Sequence, residues 1–467
     1  MTKSTKNLSL FLLLMINLAT VLSIRNWPVT AMYGYTSIFY LLLSMAFFFI
    51  PCALVSAELA ALFPQKGGVF IWVKEALGGK MGLLAIWLLW VENIAWYPTI
   101  LSFISAAFAY TFFPSLIDHP VYTCLMVTFT FWALTLLNFR GIKFTGWFST
   151  FCVIVGTFIP AALIICLGGT WMFSGKQLMI DLNTTPLIPN FSSIATFSVL
   201  TGILLGFGGI EMPAIHAGDV SNPKKNFPIA IFLSAAIIVI LTILGTLCIA
   251  IAVPSKDISL VSGTIEAMSI FLKQYNLSLL LPTVSFLMAF GALGGVSSWV
   301  VGPCRGILVA AEYGYLPPLF QKTNKAGMPY VLMIIQAVIV TALSLLFILM
   351  PNVSSSFWIM TVLAAQLYII MYSLLFISGI VLKYKKAKTL RAYAVPGGNI
   401  GMWLIACLGL VGVLFSFVIG FFPPPGVEIS SILFFQGFLS FGIITMVLLP
   451  FIIYKFKRPC WITKLEQ

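Results

Sequence analysis

Charge is what this sequence has least of. Only 8% of its 467 residues are Asp, Glu, Lys or Arg, where a soluble globular chain carries roughly 25%. Twelve acids and 25 bases cannot cover the surfaces of the three soluble domains, at about 150 residues each, that such a length would otherwise suggest. Histidine is nearly absent, with two residues, and the eight cysteines show neither CxxC nor Cys/His metal spacing. They read as small core residues, and no metal or cofactor is expected. The net charge of +13 gathers into no basic cluster with interleaved aromatics, so nucleic acid is not an expected partner. Neither HExxH nor GxxxxGK[ST] occurs, and acids are not concentrated near any span end. A polytopic membrane enzyme therefore lacks its usual signatures, and no ATP use is expected. A sensor would need a larger output segment than the short tail offers. That tail also leads us to expect no plug over the cytoplasmic side and no steep pH shut-off from one.

What the sequence does have is apolar length. Hydrophobic residues make up 61% of it and the mean hydropathy is +1.08. Stretches bounded by charges or turn residues predict twelve transmembrane helices. They run over 8–33, 37–63, 82–112, 120–139, 147–170, 194–218, 227–253, 277–312, 330–350, 355–383, 400–422 and 430–455. The longest hydrophilic connections are 170–193, 254–276 and 384–399. An even number of spans puts both termini on one side. With the N-terminus inside, only Lys176, Lys256 and Lys273 lie outside, while Arg25 and Arg305 fall within spans. The positive-inside rule thus predicts cytoplasmic termini in a bacterial-type inner membrane, with lipid as the surrounding partner.

Two spans are interrupted. The first reads Leu22-Ser23-Ile24-Arg25-Asn26-Trp27-Pro28 and the sixth Gly206-Phe207-Gly208-Gly209-Ile210-Glu211-Met212-Pro213. Glycine and proline weaken a helix, and backbone groups freed in lipid need protein partners or a polar cavity. Spans one and six also open two successive sets of five. Paired interruptions in corresponding positions point to a transporter's central binding site. Each carries an ionisable residue, Arg25 or Glu211, and an intramembrane charge normally faces a partner or a water-filled path.

The chain resembles the amino acid–polyamine–organocation superfamily, and within it the bacterial glutamate:GABA antiporter branch. The matching pieces are Ile50-Pro51 with Ser56-Ala57-Glu58-Leu59-Ala60, Gly67-Gly68-Val69-Phe70-Ile71-Trp72-Val73, and Trp96-Tyr97-Pro98-Thr99. Further on come Gly209-Ile210-Glu211, His216, Ser221-Asn222-Pro223 with Pro228, Ser298-Trp299-Val300-Val301-Gly302-Pro303 with Arg305-Gly306, and Pro396-Gly397-Gly398. The resemblance implies one all-α transporter domain over 1–467 with a LeuT-like inverted repeat. Spans 1–5 (8–170) and 6–10 (194–383) would form the two repeats, with spans 11 and 12 (400–455) peripheral. It implies exchange of amino acids or their decarboxylation products by alternating access, protons being a further candidate partner. A proton-coupled amino-acid symporter shares the fold and remains the alternative.

Substrate would sit between the breaks, at Ser23, Ile24, Arg25 and Asn26 and at Phe207, Gly208, Gly209, Ile210 and Glu211. Free N–H groups at a half-helix start suit a carboxylate, and exposed carbonyls suit an ammonium. Arg25 is either a carboxylate ligand or half of an internal ion pair, with Glu92 the foremost partner. Glu211 is a ligand or a structural acid bonding freed backbone. Glu92 is also a candidate for proton coupling, and Glu58, nearer the cytoplasmic end, for packing or gating. Trp299, Tyr368 and Tyr372 resemble cavity-lining aromatics, against the plain alternative of core packing. His216 invites a pH role but reads better as a satisfied histidine. Asp219 and Arg305 read as cytoplasmic-side contacts.

Overall fold

A computed structural model describes residues 9–63, 67–117, 119–175, 177–180, 186–189, 194–212, 222–255, 258–350, 352–391, 393–423 and 431–463. Among these residues the regular structure is helical, with no strand. Eleven helices are long and apolar enough to cross a membrane. They are Leu10–Ala31, Thr36–Leu62, Gly79–Phe112, Pro120–Asn138, Ile142–Phe173, Lys225–Ala252, Ser278–Glu312, Tyr330–Leu349, Val353–Lys385, Gly398–Ile419 and Ile432–Lys455. Each falls on an expected span. They are numbered here as spans one to five and seven to twelve. The sixth is described as a helix over Val199–Phe207 and a non-helical stretch to Met212, and its remainder lies outside the described residues.

Burial sorts the spans into inner and outer. Span three is the axle: 94% of its most apolar stretch is buried, against 17% for span twelve. Spans eight and ten make its most extensive contacts. Outer faces present Trp147, Phe129 and Leu433 largely exposed, which suits lipid rather than water. Of the cysteines, Cys52, Cys124, Cys152, Cys248 and Cys304 are buried as expected, but Cys166, Cys407 and Cys460 are exposed.

Two helices lie where the sequence suggested loops. Val69–Leu77 follows span two, and Gly263–Gln274 lies in the connection between spans seven and eight. Both are too short to span a bilayer and too mixed in polarity to register as apolar runs. They form because each has apolar side chains to bury: the first is buried nearly all round, from Val69 to Val73 and at Ala76, and the second buries one face, Ile265, Met268, Phe271 and Leu272.

Spans two and five each contain a π-helical turn, at Met45–Phe49 and Ile154–Phe158. The second brings backbones together. A Cβ added to Gly156 would lie within 2.1 Å of the Gly291 nitrogen in span eight. In lipid, where apolar burial between helices drives little, such close approach is a main source of cohesion. Gly291→Val should therefore lower the thermal stability of purified protein by about 1–3 kcal/mol through overpacking. Gly169→Ala, facing open space, should change it little. Equal melting temperatures for the two variants would show that this contact carries no load.

Candidate functional site

The first break has a definite shape. The helix of span one runs from Leu10 to Val21, Leu22 is extended, Ser23 is extended, and Ile24–Asn26 form one 3-10 turn before helix resumes at Trp27. Carbonyls released by the break find side chains from elsewhere. Trp299 Nε1 donates to the Thr20 carbonyl at 3.1 Å, and Thr264 Oγ1 donates to the Ile24 carbonyl at 2.9 Å. Thus span eight closes one side of the break and the Gly263–Gln274 helix the other.

The second break is held by one acid and two phenols. Gly208 is extended and Gly209 has φ +112°, a conformation open to glycine. The Gly209 N–H donates to Tyr372 Oη at 2.9 Å, and Tyr372 Oη in turn donates to Glu211 Oε2 at 2.8 Å. Tyr368 Oη donates to Glu211 Oε1 at 2.6 Å. Both tyrosines stand one turn apart on span ten, so a single helix face serves the whole break. Space matters as much as bonding here. An added Cβ would meet Asn26 Nδ2 at 2.9 Å from Gly206, the Tyr368 ring at 2.5 Å from Gly208 and the Trp299 ring at 2.7 Å from Gly209. The glycines let the two breaks and the aromatic wall touch.

Arg25 projects from the 3-10 turn and is 4% exposed. Its Nη1 donates to Thr99 Oγ1 at 3.3 Å, and the guanidinium lies 5.4 Å from the Phe357 ring centre and 5.9 Å from that of Trp96. Its Nε meets no acceptor, and among the described residues no carboxylate pairs with it, neither Glu92 nor Glu211. Glu92, 2% exposed on span three, is bonded by the Asn93 amide and likewise pairs with no cation among the described residues. Three small cavities of about 40, 30 and 30 Å³ adjoin these groups and all meet Ser23. Two are lined by Arg25, and the third by Glu92, Asn26, Trp299 and Tyr368. Each holds a water or so, not an amino acid. The arrangement is a polar seam closed down between two breaks.

Glu58 belongs elsewhere. It lies on span two and accepts from Lys383 Nζ at 3.0 Å, from Arg391 Nη1 and from the Val395 N–H at 2.7 Å. This buried cluster ties span two to the end of span ten and to the connection after it. His216 and Asp219 lie outside the described residues.

A scan against family models matches residues 8–449 to the amino acid permease model. The chain belongs to the amino acid permease family. It is therefore a multi-pass membrane transporter of the APC superfamily, with the LeuT-like architecture of that family. It is 39% identical to an uncharacterized transporter of Legionella pneumophila, over 97% of this chain and 98% of that one. It is 32% identical to a glutamate/gamma-aminobutyrate antiporter of Lactococcus lactis, over 96% and 90%. A probable agmatine/putrescine antiporter of the same species is 23% identical over 85% and 84%.

Most residues singled out from the sequence of this permease come together around the breaks: Ser23, Arg25, Asn26, Gly208, Gly209, Glu211, Trp299, Tyr368, Tyr372 and Glu92. Ile24 and Ile210 are buried and enter through their backbone positions, while Phe207 stacks on Phe49 at 4.9 Å. Sequence reasoning missed Phe357 and Thr264, a phenylalanine among 41 and a threonine in an apparent loop, which carry no local signal. Tyr372 both accepts from Gly209 and donates to Glu211, so Tyr372→Phe removes two buried hydrogen bonds where Tyr368→Phe removes one. Tyr372→Phe should destabilise more, at about 1–3 kcal/mol for each group left unsatisfied. Denaturation of both variants checks this, and a larger loss for Tyr368→Phe would contradict the bonding pattern.

Proposed function

We propose that this permease exchanges amino acids or their amine products across a bacterial inner membrane by alternating access, with both termini cytoplasmic and twelve spans. The proposed domain is one unit, with repeats at 8–170 and 194–383 and peripheral helices at 400–455. Substrate occupies the seam between Ser23–Asn26 and Phe207–Glu211, walled by Trp299, Tyr368 and Tyr372. The observation that carries this reading is Arg25: a buried guanidinium with a free donor, lining two cavities and pairing with no carboxylate among the described residues. An unpaired buried cation is costly, and a ligand carboxylate would relieve that cost. The relatives named as glutamate/gamma-aminobutyrate and agmatine/putrescine antiporters support exchange as the mode. Glu92 serves as the acid through which protons couple. Glu58, held by Lys383 and Arg391, serves as the latch of a cytoplasmic gate.

In this reading the cycle is a rearrangement and not a reaction. The breaks act as hinges, their backbone groups bonded to side chains from spans eight and ten and from the Gly263–Gln274 helix. The closed seam must widen to admit a ligand, and opening the Glu58 cluster would free span ten from span two.

Purified protein in liposomes tests the mode. Uptake of labelled glutamate or 4-aminobutyrate should require a substrate inside. Uptake into empty liposomes driven by a proton gradient alone would favour the symporter. Arg25→Ala should weaken acidic amino acids by about 2–5 kcal/mol, the range for truncating one side of a buried charged contact. Neutral amino acids should lose less, and Arg25→Lys should rescue only partly, since an ammonium lacks the planar fork. Equal loss for acidic and neutral ligands would reject the carboxylate role. Topology is checked separately: a cysteine placed at position 256 should react with an impermeant reagent from outside, and one at Lys388 should not.

A further inference from the structure

The buried charges at the seam form an unmatched set. Arg25 has a donor with no acceptor, and Glu92 has one amide as its bonded neighbour and pairs with no cation among the described residues. A base and an acid at one seam could pair, yet no ion pair joins Arg25 and Glu92. Trp96 explains part of this. It stands one turn beyond Glu92 on span three, the guanidinium rests over its ring, and it lines both the Glu92 cavity and one Arg25 cavity. Ser23 likewise borders both. Trp96 and Ser23 thus border the cavities of both Arg25 and Glu92.

The other acid at the seam is already employed. Glu211 accepts from Tyr368 and Tyr372 and stabilises the second break. Glu92 makes no comparable set of bonds, and its cavity is walled by Trp96, Trp299 and Tyr368. Aromatic faces beside a carboxylate suit an organic ammonium, which gains from both.

We propose that Glu92 is the ammonium-binding pole of the substrate site and Arg25 its carboxylate pole. The ligand is then an amino acid of the class already proposed, with its ammonium at Glu92 and its carboxylate at Arg25. This rests on the carboxylate role given to Arg25 above and adds a specificity-determining residue to it. An acid that releases an ammonium in one half of the cycle is free to accept a proton in the other, so the assignment agrees with Glu92 as the coupling acid.

The test compares two probes of equal length, 4-aminobutyrate with one ammonium and one carboxylate, and butanedioate with two carboxylates. Binding of each, and of glutamate, is measured on wild type, Glu92→Gln, Glu92→Asp and Arg25→Ala. Glu92→Gln should shift the ratio of affinities by about tenfold or more away from 4-aminobutyrate and toward butanedioate, as expected for a lost charge-assisted bond. Glu92→Asp should keep the wild-type order. A ratio unchanged in Glu92→Gln overturns the proposal, because a merely structural loss would weaken both probes alike. Failure of the reading beneath it has a different signature: Arg25→Ala then leaves all three ligands unaffected, whatever Glu92 does. If Glu92→Gln does not fold, the Asp variant decides: a reversed order of the two probes would overturn the ammonium role, and a retained order at reduced affinity supports it.

Discussion

A backbone group in a membrane must be bonded inside the protein, and that constraint organises everything at the centre of this molecule. Two helices stop in mid-span, so carbonyls and N–H groups are released where lipid cannot satisfy them. The chain answers with side chains from distant elements: Trp299 to the Thr20 carbonyl, Thr264 to that of Ile24, and Tyr372 to the Gly209 N–H. Each such bond also draws a helix to the break. The arrangement of spans eight and ten around spans one and six follows from these debts, with Glu211 as the acid that orients both phenols.

Charge is then used sparingly and locally. Glu58 is saturated by Lys383, Arg391 and the Val395 N–H, and joins one end of the molecule. Glu211 accepts from two phenols and from the Cys52 thiol. Arg25 and Glu92 alone among these groups keep bonding capacity toward a cavity, and they differ in sign. In the proposed reading, a site that accepts zwitterionic substrates and releases them gains from poles that are fixed in place but not neutralised by the protein.

Much of this was legible in the sequence. Apolar length gave the spans, and the glycine and proline interruptions marked the centre, because lipid makes both signals strong. Glu211 could be suspected of structural work from its place after Gly208-Gly209. What stayed hidden was partnership across long sequence distances. Nothing near Glu58 points to residues more than three hundred positions away, and Tyr368 and Tyr372 are ordinary tyrosines until span ten is laid against the break. The helix Gly263–Gln274 escaped because its apolar face is too short to register as a membrane segment. The sixth span as a full crossing rests on the sequence, since its second half lies outside the described residues.

The central claim is that substrate is held at the seam between the breaks, with Arg25 on its carboxylate. A structure determined with glutamate or 4-aminobutyrate bound tests this most directly. The account predicts ligand density bordered by Ser23, Asn26 and Gly208, with a carboxylate oxygen within hydrogen-bonding distance of the Arg25 guanidinium. Density at another site, or a ligand at the seam with Arg25 still bonded only to Thr99, would contradict it.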